Sequence, residues 1–595
     1  MTDERRRWWK EAVVYQVYPR SFADSDADGV GDLRGLADRA DYLADLGIDA
    51  VWLNPVYESP GADNGYDVSD YRAIDEQFGT MADWERVLAA LHERDIALVM
   101  DFVPNHTSDE HEWFERSRRR GAPADWYHWR DGADADAVNW NADAGPDGEA
   151  PPNNWQSLFG GPAWSYDDER EQWYLHLFHR KQPDLNWETP AVREAVADEM
   201  QFWVDKGIDG FRLDVVNLLS KPEGLPSGDP DWPYRGSLLS VPNGPRIHEY
   251  VSELHDRAFA GEDLLLVGEC VGETPVDEAA RYVGPDGDGL GMIFHFDHVG
   301  IGRSERLWER SEWSLTDIKQ VFDRWQAGLA DRGWNSLYFN NHDQPRVVSR
   351  FGDDDEFRRE SATCIATLLH TLRGTPYVYQ GEELGTTNPT FESLAEFRDV
   401  ETVQAVEEAL DAGAIESFEE VQEGLNAHSR DTSRTPMQWT SGEHAGFTEG
   451  EPWIRLHEDH GNVNVETQRA DPESVWHYYR RLIELRHDHD VLVYGRYENH
   501  TPDDEQVWAY TRTLAADREA DADAGDADGG VGDDGPERAF VALNWSGEET
   551  VVEPPASVES APATLALSNY PEPESVASVE PYRARPWEAR VYLRE

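Results

Sequence analysis

The chain has 595 residues, enough for a large core and a further domain, with 24 tryptophans and 11% aromatic residues. Against 53 basic residues stand 119 acidic ones, a formal net charge of −66, which disfavours nucleic acid or an anionic membrane as partner. The aromatic content and long apolar runs exclude an acidic disordered chain and favour a folded, carboxylate-coated protein suited to high salt, where self-repulsion is screened.

The basic residues are five lysines (Lys10, Lys181, Lys206, Lys221, Lys319) and 48 arginines. Two cysteines, Cys270 and Cys364, provide no disulfide framework. The opening "MTDERRRWWKEAVVYQVYP" has no apolar leader with a small-residue cleavage site. No run of about 18 apolar residues follows, so a membrane span is not expected. A cytoplasmic monomer acting on a small molecule is the expectation.

Eight short apolar runs come in chain order, at 13–19, 49–54, 96–102, 208–214, 264–270, 292–296, 336–340 and 375–381. Amphipathic helical stretches such as "LRGLADRADYLADLG" separate them. This alternation predicts an α/β fold, a (β/α)8 TIM barrel, although an open doubly wound sheet fits the same pattern. Two intervals exceed ordinary connections. Residues 105–176, rich in Trp, Asn, Gly and Pro, are expected to form a small inserted domain after the third strand. Residues 385–455 are expected to form a second excursion after the eighth. The barrel is thereby divided into 1–104 and 177–490. From 500 to 595 short strands and turns predict a C-terminal antiparallel β domain, with an acidic low-complexity loop at about 515–538.

"GFRLD" sets Arg212 and Asp214 two apart, on one side of a strand. Burying such charges is costly unless they are paired or put to use. Asp214 ends the fourth strand, Glu269 the fifth, and Asp343 follows the seventh; Asp101 closes the third, with His106 five residues on. Because one residue in five is acidic, a single acid at a strand end means little. Several meeting at one end of a barrel, in company with His106, Arg212 and His342, mean more. Glycoside cleavage by a covalent route needs one ionised carboxylate to attack and one protonated carboxyl to donate. Arg212 is expected to hold Asp214 ionised, with Glu269, after the apolar "LLLVG", as the donor.

The motifs "DFVPNH", "GFRLD", "VGEC" and "NNHDQ", in that order, resemble those of glycoside hydrolase family 13, the α-amylase family. The likeness runs from "VVYQVYPRSF" to the C-terminal domain. It implies a retaining double displacement with Asp214 as nucleophile, Glu269 as acid/base and Asp343 as transition-state stabiliser. It also implies that Asp63, Tyr66, His106, Arg212, His342 and Arg398 grip the non-reducing glucosyl unit, with Phe159, Phe178 and Gln182 in the pocket wall. "QPDLNW" resembles the signature of the oligo-1,6-glucosidase group. Val215, next to the nucleophile, is the residue that α-1,6-active members usually carry.

The resemblance implies an exo-acting α-glucosidase that prefers α-1,6 links in short oligosaccharides. Alternatives are an α-1,4- or sucrose-active α-glucosidase, a sucrose or trehalose isomerase, or a non-catalytic transporter-subunit relative. The last would have lost its catalytic carboxylates. "DSDADGVGDLRG" offers Asp24, Asp26, Asp28, the Val30 carbonyl and Asp32 as hard oxygen ligands for a structural Ca²⁺. Gly35 stands where an EF-hand has glutamate, so the motif instead resembles the calcium loop of oligo-1,6-glucosidase relatives. Catalysis itself calls for no cofactor.

Overall fold

The computed structural model describes residues 6–121, 123–134, 148–228, 241–284, 289–304, 306–515, 537–559, 563–571 and 578–594. Most of the acidic segment expected at 515–538 lies outside the described residues.

Eight parallel strands form the central sheet: β1 (Val14–Val17), β2 (Ala50–Leu53), β3 (Ala97–Phe102), β4 (Gly210–Leu213), β5 (Leu265–Cys270), β6 (Met292–His295), β7 (Ser336–Leu337) and β8 (Thr375–Tyr379). Each pairs with its chain neighbour from β1 to β6, and β8 pairs with both β1 and β7. Ser336 Oγ and Tyr338 Oη donate to the carbonyls of Ile293 and His295, tying the β7 segment to β6 and closing the barrel. The open-sheet alternative is thereby excluded.

Strand parity sorts the side chains. Val14, Ala50, Trp52, Val99, Leu265, Val267, Met292 and Phe294 fill the barrel interior. Their neighbours Tyr15, Val51, Leu98, Phe211, Leu213 and Leu266 pack outward against the helices. Such double-sided burial explains why the strands read as unbroken apolar runs. The same parity turns Asp101, Arg212, Asp214 and Glu269 inward. The registers Asp101↔Arg212 and Gly268↔Leu213 set these groups at adjoining levels near the strand ends.

The outer helices show ordinary start signals. Thr80 and Asp83 form a reciprocal capping box on Met81–His92, and Pro190 opens Pro190–Asp205. After β3 the chain builds a three-stranded antiparallel sheet from Trp129–Arg130, Trp164–Asp167 and Gln172–Leu175. It returns beside the barrel through the bridge His106↔Asp184.

After β8, helices Val400–Asp411 and Gln422–His428 pack around their own small core of Phe391, Phe397, Val406 and Leu425. The C-terminal domain is a five-stranded antiparallel sheet, with Val507–Leu514, Glu537–Asn544 and Ala589–Arg594 at its centre. Lys319, on a barrel helix, fastens that domain by donating to the carbonyls of Thr501, Asp504 and Val507. Among the described residues no helix is long and apolar enough to cross a membrane.

Candidate active site

A cavity of about 610 Å³ opens at the C-terminal ends of the strands. Its wall includes Asp63, Tyr66, His106, Phe159, Phe178, Asp214, Val215, Glu269 and Asp343. That volume falls in the range of small-ligand pockets. Gln182, Arg212 and His342 stand behind this lining and hold it in place.

Arg212 is the hub. Its Nη1 donates to Asp101 Oδ1 at 2.8 Å and to Asp214 Oδ1 at 2.7 Å, while Nη2 reaches Glu269 Oε1 at 2.8 Å. The guanidinium is thus shared among three buried acids, so the expectation that Arg212 alone holds Asp214 low is corrected. Burial pushes Asp214 well above the usual carboxylate range. Arg212 pulls it back only in part, and the neighbouring charges of Glu269 and Asp101 add to the rise. Asp101, fully buried, is pushed up to about 6 against the pull of the same arginine. One cation thus faces three carboxylates, which leaves an excess of negative charge around Arg212.

Asp343 is held the opposite way. Despite burial, the charges of Arg430 and Arg434 keep it below the ordinary range; the neutral His342 ring adds none. Arg434 Nη2 lies 2.5 Å from its Oδ1, Arg430 Nη1 lies 3.4 Å from the same oxygen, and His342 Nε2 is 3.2 Å from Oδ2. Burial drives His342 down to about 3 and His106 to about 4, so both rings are neutral at pH 7. His342 stacks on Tyr66 at 5.3 Å, and Tyr66 Oη donates to Asp101. Gln182 donates to Asp63 Oδ2 at 3.1 Å. Phe159 comes from the insert and Phe178 from the segment that follows it, their rings 5.7 Å apart at the cavity wall.

Val215 has φ 36° and ψ 42°, a left-handed conformation that costs a β-branched residue of order 1–3 kcal/mol. The bend aims its N–H at Glu269 Oε2, 3.3 Å away. Gly268 leaves room beside the turn, since a Cβ there would lie 2.5 Å from Leu290 Cδ1 and 2.7 Å from Val216 Cγ1.

Two further expectations need correction. Arg398 is exposed and donates to the carbonyls of Ala395 and Phe397; it does not line the cavity. Its neighbour Asp399 is fully buried and holds Arg430 from Nε at 2.8 Å, and Arg430 lies over Phe159 and reaches towards Asp63 and Asp343. Arg430, with Arg434 four residues on, is the arginine that sequence reasoning missed. The signal was the pair of arginines in "SRDTSR".

In the acidic turn, carboxylate oxygens of Asp24, Asp26 and Asp28 lie within 4.8 Å of one another. Asp32 is not in that trio: its carboxylate accepts from Ser25 N and Oγ and from Gly35 N, capping the helix Leu33–Asp38. Val30 offers its N–H to Asp28.

A closed parallel barrel with acids gathered on one arginine at its strand ends defines the class as a barrel enzyme with a polar, ring-walled pocket. The chain belongs to the α-amylase family: residues 16–495 match the family described as alpha amylase, catalytic domain. It is 46% identical to an oligo-1,6-glucosidase of Parageobacillus thermoglucosidasius over 592 residues, 99% of each chain. Among solved structures it resembles a trehalose-6-phosphate hydrolase of Bacillus licheniformis, with TM-score 0.86 and 40% identity over 99% of this chain and 100% of that one. It also resembles an isomaltulose synthase of Erwinia rhapontici, with TM-score 0.89 and 37% identity over 99% of each chain.

Proposed function

We propose that the protein is a retaining, exo-acting α-glucosidase that releases terminal glucose from short oligosaccharides, with α-1,6 links preferred. The observation that carries this reading is the Arg212 fork, which brings Asp214 and Glu269 together in the lining of one sugar-sized pocket. Asp214 attacks the anomeric carbon while Glu269 gives its proton to the leaving oxygen. Water then cleaves the glycosyl-enzyme, with Glu269 as base. The first step requires Asp214 as the carboxylate and the proton on Glu269. Asp343, kept ionised, steadies the positive charge that develops on the sugar ring. Asp63, His106 and Arg430 take the glucosyl hydroxyls, with His342 supporting Tyr66 and Asp343 from behind, and the faces of Tyr66, Phe159 and Phe178 take its apolar side.

The test is to incubate purified protein with isomaltose, maltose, sucrose and trehalose and resolve the products. Glucose released fastest from isomaltose supports the reading; rearranged disaccharide as the main product from sucrose overturns it. Because Val215 lines the pocket, Val215→Thr is expected to shift the isomaltose-to-maltose ratio of kcat/KM by roughly tenfold towards maltose. Measured kcat/KM values on the two sugars check this.

The acidic turn fits a hard cation: three carboxylates converge there, and burial, then the charges of Asp28 and Asp32, raise Asp26. Asp24, Asp26 and Asp28 would hold a structural Ca²⁺, with the Val30 carbonyl within the same turn. Adding Ca²⁺ at about a hundred times its Kd is expected to stabilise the fold by ~2.7 kcal/mol, seen as a higher Tm than in chelator. The charge of −66 leads us to read the protein as salt-adapted, so Tm in the same assay should also fall as NaCl is removed. The same reading makes it a cytoplasmic monomer, with Cys270 and Cys364 free and buried.

A further inference from the structure

Lys221 is one of five lysines in a chain that otherwise uses arginine, and it is buried. It follows the short turn Val216–Leu218 after β4, and its ammonium lies between two oxygens. Nζ donates to Asn105 Oδ1 at 2.7 Å and sits 2.7 Å from Asp184 Oδ2. With its oxygen taken, the Asn105 amide turns its Nδ2 to Asp184 Oδ2 at 3.1 Å and to His106 Nδ1 at 3.2 Å. His106 Nδ1 is therefore an acceptor, and the ring proton belongs on Nε2. That nitrogen stands 3.2 Å from the Tyr66 carbonyl, and His106 lines the cavity. Gln182 Nε2 also lies 3.2 Å from His106 Nε2, but its two N–H groups have acceptors in Asp63 Oδ2 and the Tyr66 carbonyl, and reversing the Asn105 amide would break the contacts at both its ends.

We infer that Lys221 is a positioning residue that sets the tautomer and orientation of His106 through Asn105, and clamps the insert to the barrel through Asp184. The return of the insert depends on the same clamp. Asp184 Oδ1 accepts from Leu177 N, and Leu185 N donates to the Asn105 carbonyl, so the ammonium ties three segments beside the pocket. A compact ammonium with tetrahedral donors suits two converging oxygens; a planar guanidinium is wider and its fork is fixed. The kinetic side of the inference rests on the proposed contact between His106 and the glucosyl unit. The tautomer side does not.

Two variants separate positioning from folding. Lys221→Met strands the buried Asp184 charge and is expected to lower Tm. Lys221→Met/Asp184→Asn removes that charge and is expected to recover Tm. In the double variant, kcat/KM on the preferred disaccharide is expected to stay at least tenfold below the parent, mainly through KM. The nitrogen shifts of His106, assigned in ¹⁵N-histidine-labelled protein by comparison with His106→Gln, are expected to move away from the pure Nε2–H pattern. Parental kinetics with an unchanged His106 spectrum in the double variant would overturn the inference. A changed spectrum with parental kinetics would uphold the positioning of the ring and overturn its contact with the sugar.

Discussion

Replacing Asp214 by alanine is expected to lower kcat about 10⁴-fold on any α-glucoside the enzyme takes, without loss of Tm. The first half follows from the proposed covalent step, which has no nucleophile without this carboxylate. The second follows from the crowding around Arg212. With Asp214 gone, Asp101 and Glu269 still occupy the guanidinium, and one buried repulsive charge is removed. Thermal unfolding followed beside turnover checks both. A variant that keeps a tenth of the parental kcat would reject the role of Asp214, and a large fall in Tm would reject the account of the charge cluster.

Arg430→Ala is expected to lower kcat/KM by about 10²–10³, whereas Arg398→Ala leaves it within about twofold of the parent. Arg430 draws together Asp63, Asp343 and Asp399, and Arg398 faces solvent. Truncation of Arg430 also leaves Asp399, fully buried, with only Arg434 Nη1 at 3.8 Å as a counter-charge among the described residues. A loss of roughly 3–5 kcal/mol in stability follows. Arg430→Lys keeps the charge while losing the fork, and so separates the two effects: the fold should survive and kcat/KM should still fall about tenfold. Steady-state kinetics and denaturant titration of the three variants check this. Equal kinetic losses in Arg398→Ala and Arg430→Ala would contradict the geometry.

The contrast between these two arginines shows what the sequence could and could not disclose. The barrel was legible because each strand is buried on both faces, so its apolar run stands out from the helices around it. Within those runs a charge is conspicuous, which is why Arg212, Asp214 and Glu269 declared themselves. The excursion after β8 offers no such background. Its elements are short, and which of Arg398, Arg430 or Arg434 faces the cavity depends on how Asp399 and Asp431 are packed beneath them. "FRDVET" contributes to the site through Asp399, one residue from the arginine that drew attention.

Asp32 illustrates a competing demand of another kind. An aspartate directly before "LRGLAD" is a helix-cap signal, and the capping bonds won it from the acidic turn. The sharing of Arg212 was hidden for a further reason. That Asp101 and Glu269 meet the same guanidinium depends on the registers of β3 and β5 against β4, which local sequence does not encode.

The central claim is a covalent glucosyl-enzyme formed on Asp214. A fluorinated α-glucosyl fluoride that slows breakdown of such an intermediate, followed by proteolysis and mass spectrometry, tests it directly. The account predicts one added fluoroglucosyl mass on the peptide carrying Asp214, and none on those carrying Glu269 or Asp343. A label on either of those two, or first-formed β-glucose in place of α-glucose from the unmodified substrate, would contradict it.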